Sequence, residues 1–455
     1  MRKRYPIEII HHSKQIVFIP EDLQENKNIS KIAFGNKVLD VTCAPHPKGR
    51  NVMVISDDVQ KDLSMPDLST PIHIFIDQQT LFIGPLIGIF TSGFTPFPLR
   101  PIGERSMFFA KLLSVNKMVG VLPFVFGEEH IDWDNGLING YFFEDSGWKT
   151  MKIPFPNVIY DRLPNRKTER KTELRSLKAR MQTDYLIPWY NPGFFSKLDV
   201  FERLQQDDRA AEFLPETHQF SSFSVIERML SNYRNVYVKP ANGSLGLGIH
   251  QILLDKYTGD YYCRYRDSDG TNKLTKFDSL EKLMKKVFYK RNLAHMIVQQ
   301  GISLLRSEKR LIDFRVHTNK DDYGEWQVAA IAAKIAGQGS VTTHVNNGGI
   351  VKSLDELFDH AEERELYVKR LSDASLLLSS ILEKNMEGII GEIGFDFGID
   401  KNGKVWLFEA NSKPGRSIFK HPKLKSFDLL TRKLSLSFGI YLAEKAITAP
   451  EDIFK

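Results

Sequence analysis

Glu392-Ile-Gly-Phe-Asp396-Phe-Gly-Ile-Asp-Lys-Asn402-Gly403-Lys-Val-Trp-Leu-Phe-Glu409-Ala-Asn411 is the stretch that decides how this chain folds near its C-terminus. Asn-Gly between two alternating apolar runs marks a hairpin, because both residues tolerate the positive φ of a tight turn. A two-residue turn at Asn402 and Gly403 sets Lys401 against Lys404 and, counting back along both strands, Asp396 opposite Glu409. Alternation then predicts an apolar face of Ile393, Phe395, Phe397, Ile399, Trp406, Phe408 and Ala410, and a polar face of Glu392, Asp396, Glu409 and Asn411. Carboxylates opposed on a sheet sit about 4.5–5.5 Å apart at Cβ and repel unless a cation lies between them. Asp, Glu and Asn offer hard oxygens, so the expected cation is Mg2+ or Mn2+ and not zinc. Gly394 and Gly398 clear space on the polar face, which suits a phosphate-bound metal. A solvated face that tolerates its like charges is the plain alternative.

The rest of the chain bounds this reading. Its 455 residues are enough for two or three domains with substantial cores. A charged fraction of 26% and a hydrophobic fraction of 42% describe a soluble globular protein and exclude a disordered one. A net charge of +6 is small for this length, so it neither demands nucleic acid nor excludes an anionic substrate. Cys43 and Cys263 are far apart and form no Cys-x-x-Cys pair, so neither a disulfide framework nor a zinc site is expected. That usage fits a reducing, cytoplasmic compartment. The basic N-terminus is followed by no apolar core of signal-peptide length. The best apolar run, Leu81 to Phe90, is broken by Gly84, Pro85 and Gly88 and is too short to span a bilayer.

Residues 1–85 alternate short β-like runs (Gln15 to Ile19, Val52 to Ile55, Ile72 to Ile76) with Pro, Asp and Ser, which predicts a β-rich N-terminal module. Over residues 86–190 the pattern becomes α/β with a parallel sheet: a strand at Leu86 to Phe90, a helix at Gly103 to Val115 and a strand at Met118 to Phe126. The loop Thr91-Ser-Gly-Phe-Thr-Pro is only weakly phosphate-loop-like and reads as a turn. Between Arg162 and Arg180 stand eight Lys or Arg residues nearly free of aromatics. Base stacking needs interleaved aromatics, so this is a solvated basic helix and no nucleic-acid partner is expected. An amphipathic helix closes the chain from about Phe427 to Ala446.

A second constellation is Val236-Tyr-Val-Lys239-Pro-Ala-Asn-Gly243-Ser244-Leu-Gly246-Leu-Gly248-Ile-His-Gln-Ile-Leu. Strand-forming runs flank a glycine-rich loop whose N–H groups can approach phosphate oxygens, while Lys239 enters as a point charge from the preceding strand. The lysine precedes the glycines, so this is not a Walker A loop, and the glycines open a strand and not a dinucleotide-binding helix. A ligand-free hairpin tip is the structural alternative. Further on, His295 to Gln300 reads as a strand ending at Gly301, a hinge at Gln299, Gln300, Gly301 and Ile302 that can offer backbone groups to adenine. Alternation puts Asp313, Arg315 and His317 on one face of a strand, where Arg315 could simply pair with Asp313, and Lys334 is the single cation of the strand Ala329 to Ile335. Taken singly, each feature reads as structural.

In this order, lysine, glycine loop, hinge, basic strands and acidic hairpin, the chain resembles the ATP-grasp superfamily over roughly residues 190 to 445. The resemblance implies an ATP-grasp fold, two α+β subdomains clamping ATP, over 191–455, with 86–190 as its preceding α/β domain. It implies that Lys239 contacts the α- and β-phosphates beneath the mobile loop of Gly243, Ser244, Gly246 and Gly248, that Lys197 is a second nucleotide-binding lysine, and that Gln299 to Ile302 form the adenine hinge. Asp396, Glu409 and Asn411 fall on the family's metal-ligand positions, and Asn411-Ser-Lys-Pro-Gly415-Arg416 is similar to the substrate turn of amino-acid and peptide ligases. More closely, Gln299-Gln-Gly-Ile, Asp313-Phe-Arg-Val, Val341-Thr-Thr-His-Val-Asn-Asn-Gly-Gly349 and the hairpin together resemble the endospore coat-associated ATP-grasp proteins of spore-forming bacteria.

The expectation is therefore an enzyme that uses ATP and Mg2+ (or Mn2+) to join a carboxylate, small-molecule or peptide, to an amine through an acyl phosphate. Arg315, Lys334 and Arg416 are the candidates for stabilising phosphoryl oxygens and carboxylate, with His344 a weaker one. A kinase acting on a hydroxyl and a non-catalytic nucleotide-binding coat protein are the rival readings. The resemblance places the protein in the cytoplasm in association with the forming spore coat, with coat proteins as partners.

Overall fold

Strands form where β-branched and aromatic residues alternate with polar ones, and the computed structural model arranges them in five sheets among the described residues, which are 3–12, 14–23, 28–241, 247–267, 269–289, 292–343 and 348–454. Residues 4–83 supply a four-stranded and a five-stranded sheet whose facing side chains, among them Val17, Ile32, Phe34, Met53 and Leu81, are fully buried.

The third sheet has seven strands, with Leu86–Phe90 at its centre. Leu122–Phe126 lies parallel on one side and Val158–Asp161 parallel on the other, with Trp189–Tyr190 parallel beyond it. The expected helix from Gly103 is a 3-10 turn, Gly103–Arg105, followed by the helix Ser106–Leu113. The expected strand start at Met118 is displaced to Leu122, because Asn116–Val119 forms another short helix. The C-terminal helix Lys425–Thr448 returns to this sheet and buries Leu436, Phe438 and Ile440 against Ile87, Ile89 and Val158.

The last two sheets hold the candidate site between them. Asn235–Pro240 pairs antiparallel with His250–Leu254 on one side and Met296–Gln300 on the other. In the other sheet Arg310–Lys320 lies between Trp326–Ile335 and Glu392–Ile399, and Val405–Asn411 completes the hairpin. Its far face is sealed by the helix Ala361–Asn385, whose Tyr367, Leu371, Ala374 and Leu378 recur at helical spacing and pack on Phe314, Phe395 and Phe397.

The hairpin turn differs from the two-residue form. Gly403, at φ +79°, closes a three-residue loop in which its N–H donates to the Asp400 carbonyl at 2.9 Å and Asp400 N–H donates to Lys404 at 3.0 Å. Ile399 therefore faces Val405 and Phe397 faces Leu407, one residue out of the expected register. A bulge at Phe408 then restores it, so Asp396 does lie opposite Glu409. Between turn and bulge the faces are exchanged. Val405 and Leu407 are in the core, whereas Trp406 and Phe408, expected there, are only half-buried on the other side.

Candidate nucleotide and metal cleft

The cleft between the two sheets is lined by Lys197, Lys239, Gln299, Gln300, Ile302, Lys334, Asp396 and Glu409, eight of the residues singled out in the sequence, and encloses roughly 940 Å3 measured to its open mouth. Val236 and Val238 turn into their own core, which leaves Lys239 on the cleft side. Its Nζ donates to Gln299 Oε1 at 2.7 Å, and Gln299 Nε2 donates to Thr217 Oγ1 at 2.9 Å. Burial, helped by repulsion from Lys197, pulls the Lys239 ammonium down to about 7 against the attraction of Glu409 and Asp396. Lys197, the first residue of the helix Lys197–Gln205, stands 3.4 Å from Glu409 Oε2.

Asp396 meets two cations. Arg315 Nη2 donates to one oxygen at 2.9 Å and Lys334 Nζ to the other at 2.7 Å. Burial would raise this carboxyl, but Arg315 and Lys334 override it and hold it at about 2. Lys334 also stands 2.9 Å from Asp313, which accepts a hydrogen bond from Thr343. Burial raises the Asp313 carboxyl despite Lys334, and the two carboxylates raise Lys334 despite its own burial. Arg315 thus pairs with Asp396 across the strands and not with Asp313 on its own strand.

Other candidates lie outside the cleft lining. Arg416 donates to Ser435 at 3.0 Å and Thr431 at 3.3 Å and stands 3.6 Å from Glu392. Glu392, expected on the open polar face, is only 2% exposed and accepts from Arg162 at 2.6 Å and from Tyr160. It is a clamp between the parallel sheet and the hairpin. Asn411 faces Gly394 across the strands, two pairs beyond Glu409 on the same side. The loop it opens is fixed by Asn191, which accepts from Gly391 N–H at 2.8 Å and donates to the Ser412 carbonyl. Gly301 also lies off the cleft; its N–H donates to the Asn235 carbonyl at 2.8 Å, and a Cβ there would meet the Asn235 side chain at 2.2 Å. Gly248 has φ +72° beside Pro240. Gly243, Ser244, Gly246 and His344 lie outside the described residues.

Residues that sequence reasoning passed over complete the cleft: Tyr237, Leu304, Leu311, Val341, Thr343 and Phe408. Asp313 was legible from its alternation with Arg315, but Phe408 was not, because no local feature announces the bulge.

The donor set fits a hard divalent cation. Asp396 and Glu409 present oxygens from directly opposed positions, and Asn411 adds an amide two pairs along. In the protein alone, Arg315, Lys334 and Lys197 supply the counter-charge that the opposed carboxylates require. Among the described residues no group of three or more His, Cys, Asp or Glu is arranged to hold a metal by itself, so any ion here would rely on the amide, on water or on phosphate oxygens as well.

Residues 186–442 match the family described as YheC/D like ATP-grasp. Over 460 residues the chain is 42% identical to the endospore coat-associated protein YheD of Bacillus subtilis (strain 168), covering 99% of each. The endospore coat-associated protein YheC of the same organism is 26% identical over 286 residues, 61% of this chain and 75% of YheC. Among solved structures, a D-alanine–D-alanine ligase from Bacillus anthracis is similar at 13% identity and a TM-score of 0.44, over 79% of this chain and 99% of that one. No described helix is long and apolar enough to cross a membrane. The chain belongs to the YheC/D-like ATP-grasp family.

Proposed function

We propose that the protein is an ATP-dependent ligase that activates a carboxylate as an acyl phosphate and joins it to an amine, in a spore-coat or cell-envelope context. The observation that carries this reading is the convergence of Lys197, Lys239 and Lys334 with Asp396 and Glu409 on one cleft between two sheets. Lys197 and Lys239 neutralise phosphate oxygens, and Gln299 holds the Lys239 ammonium in place. Gln300 and Ile302, with the apolar side chains of Leu304, Leu311 and Phe408, form the wall suited to a planar base. Asp396, Glu409 and Asn411 would hold Mg2+, which when bound supplies charge stabilisation on the β- and γ-phosphates.

Arg315 and Lys334 face the same carboxylate and are placed to stabilise charge on the transferred phosphoryl group. A substrate carboxylate oxygen attacks the γ-phosphorus and ADP leaves. The amine then attacks the acyl carbon, inorganic phosphate leaves, and the nitrogen gives up a proton. Arg416 acts from the side, holding the loop after the hairpin against Ser435 and Thr431. The relatives' names support the spore-coat context.

The test is ADP release from Mg·ATP in the presence of paired amino acids, peptides and cell-wall precursors. Stimulation by a carboxylate–amine pair with amide formation is expected. A phosphorylated hydroxyl product without an amide would make the protein a kinase, and no Mg·ATP-dependent thermal shift would remove both enzymatic readings.

A further inference from the structure

A second cavity opens where the parallel sheet changes direction. The chain lays Leu122–Phe126 on one side of Leu86–Phe90 and Val158–Asp161 on the other, so the strand order reverses at that last pair. Open parallel sheets present ligand crevices at the carboxyl ends of such pairs. Phe90 and Asp161, the final residues of the two strands, line an open cavity here, together with Arg166, Arg170, Arg175 and Lys178.

Its charge is unbalanced. Asp161 is consumed by Lys413 at 2.5 Å and by Trp189 Nε1 at 3.1 Å, and Glu169 is taken up by the Phe194 N–H at 3.2 Å. The cations form no ion pair among the described residues, although Asp161 and Glu169 attract Lys178. Arg166 and Lys178 donate to the neutral carbonyls of Phe195 at 2.6 Å and Pro192 at 3.2 Å, and Arg170 and Arg175 have no ion pair among the described residues. Burial pulls the Lys178 ammonium below its usual range. The basic run read as a solvated helix therefore turns part of its charge into a concavity.

Shape narrows the ligand. A further hollow shares Glu169, Lys178, Pro192 and Phe194 with the first and lengthens it past Arg203, Asp199 and Glu387, so the basic part of the trough is the first cavity. Trp189 is 1% exposed, and the Phe194 ring already carries Arg166 at 5.4 Å and Lys413 at 4.7 Å, so neither offers an open face on which a base could stack. Leu163 and Leu174 provide apolar wall between the cations. We infer that the trough binds an extended acidic peptide segment, its Asp or Glu side chains on Arg166, Arg170, Arg175 and Lys178 and its apolar side chains on Leu163 and Leu174. Ser196 lines this trough and Lys197, the next residue, lines the nucleotide cleft, so the two sites adjoin. The inference stands without the proposed reaction.

The test uses the full-length protein and a short fluorescein-labelled peptide of alternating Glu and Leu, followed by fluorescence anisotropy. Binding that weakens with salt is expected, with none for the Gln-Leu analogue. The double variant Arg170→Glu/Arg175→Glu should lose about tenfold or more in affinity, both positions being exposed and free to change without unfolding the chain. The Mg·ATP thermal shift of that variant should equal that of the wild type, which separates this site from the cleft. Unchanged peptide affinity in the variant overturns the proposal. So does equal displacement by inorganic phosphate or citrate, which would make the trough a small-anion site, or tighter binding of an oligonucleotide of matched charge.

Discussion

Glu392 and Asp396 lie on one strand, four residues apart and on the same face, the first buried and the second partly so, each with two cations beside it, yet they end in different roles. Glu392 is covered by Tyr160 and Arg162 from the parallel sheet and by Ser435 of the C-terminal helix, which leaves it 2% exposed. Asp396 is covered by nothing comparable; its face opens into the cleft beside Glu409. The charge and the number of adjacent cations are the same. What packs above the strand separates a clamp from a site. A carboxylate closed in on all sides holds two regions together, while one that opens into a cleft can exchange its cations for a ligand.

The largest expected effect comes from the site end. Glu409→Gln keeps the size of the side chain and removes one of the opposed charges. Turnover should fall about a hundredfold to a thousandfold, as when a single transition-state stabiliser is lost. Stability should move by about 1 kcal/mol or less, because the Lys197–Glu409 contact is long and partly exposed. Thermal shifts with Mn2+ and ATP should disappear with the activity. Retained turnover would refute the metal assignment.

At the clamp end the signs reverse. Glu392→Gln strands the Arg162 guanidinium at a buried position and should cost about 3 kcal/mol of stability, read from denaturant midpoints. Mg·ATP affinity should change little once the variant is measured below its own unfolding range. If Glu392→Gln instead abolished nucleotide binding at full stability, the division between the two carboxylates would be wrong.

Lys239 offers a subtler comparison because its charge is in play near neutrality. Its folded value is about 7, whereas an unfolded lysine titrates near 10.4. Between those values the unfolded chain carries the extra proton, so this group makes stability rise with pH across that window. Triphosphate favours the charged amine, so ATP affinity should fall over the same range. Thermal unfolding from about pH 6.5 to 9 should show stability rising with pH in the free protein while the increment added by Mg·ATP shrinks, and Lys239→Met should flatten both trends. Wild-type pH dependence persisting in that variant would assign the titration to another group.

Much of the cleft lining was legible because its parts are local: Lys239 near the end of one strand, Gln299 and Gln300 at the end of another, an Asn-Gly turn. Asp396 opposite Glu409 was reached by a count that contained two departures, a three-residue loop and a bulge, which cancel. The role of Glu392 was not legible, since Tyr160 and Arg162 come from a distant strand and only the tertiary fold sets them over it. Arg416 was placed in the chemistry by its neighbours in sequence, but the C-terminal helix claims its side chain. The concave side of the basic run was hidden for the same reason: charge spacing shows a helix face, not what the face encloses.

The smallest effect tests the bulge itself. In the unbulged register Phe408 would belong to the core, and Phe408→Ala would cost about 3–5 kcal/mol of stability with no effect on nucleotide. In the observed register Phe408 lines the cleft, and Gly398 across the hairpin makes room for it, since a Cβ there would lie 2.6 Å from the ring. Truncation should then raise the KM for ATP about tenfold with kcat nearly unchanged, the mark of a contact equally present in ground and transition states. Leu407→Ala is the mirror variant, because Leu407 took the core position expected of its neighbour. It should destabilise strongly and leave the KM alone, and an exchange of these two outcomes would return the hairpin to the simple register.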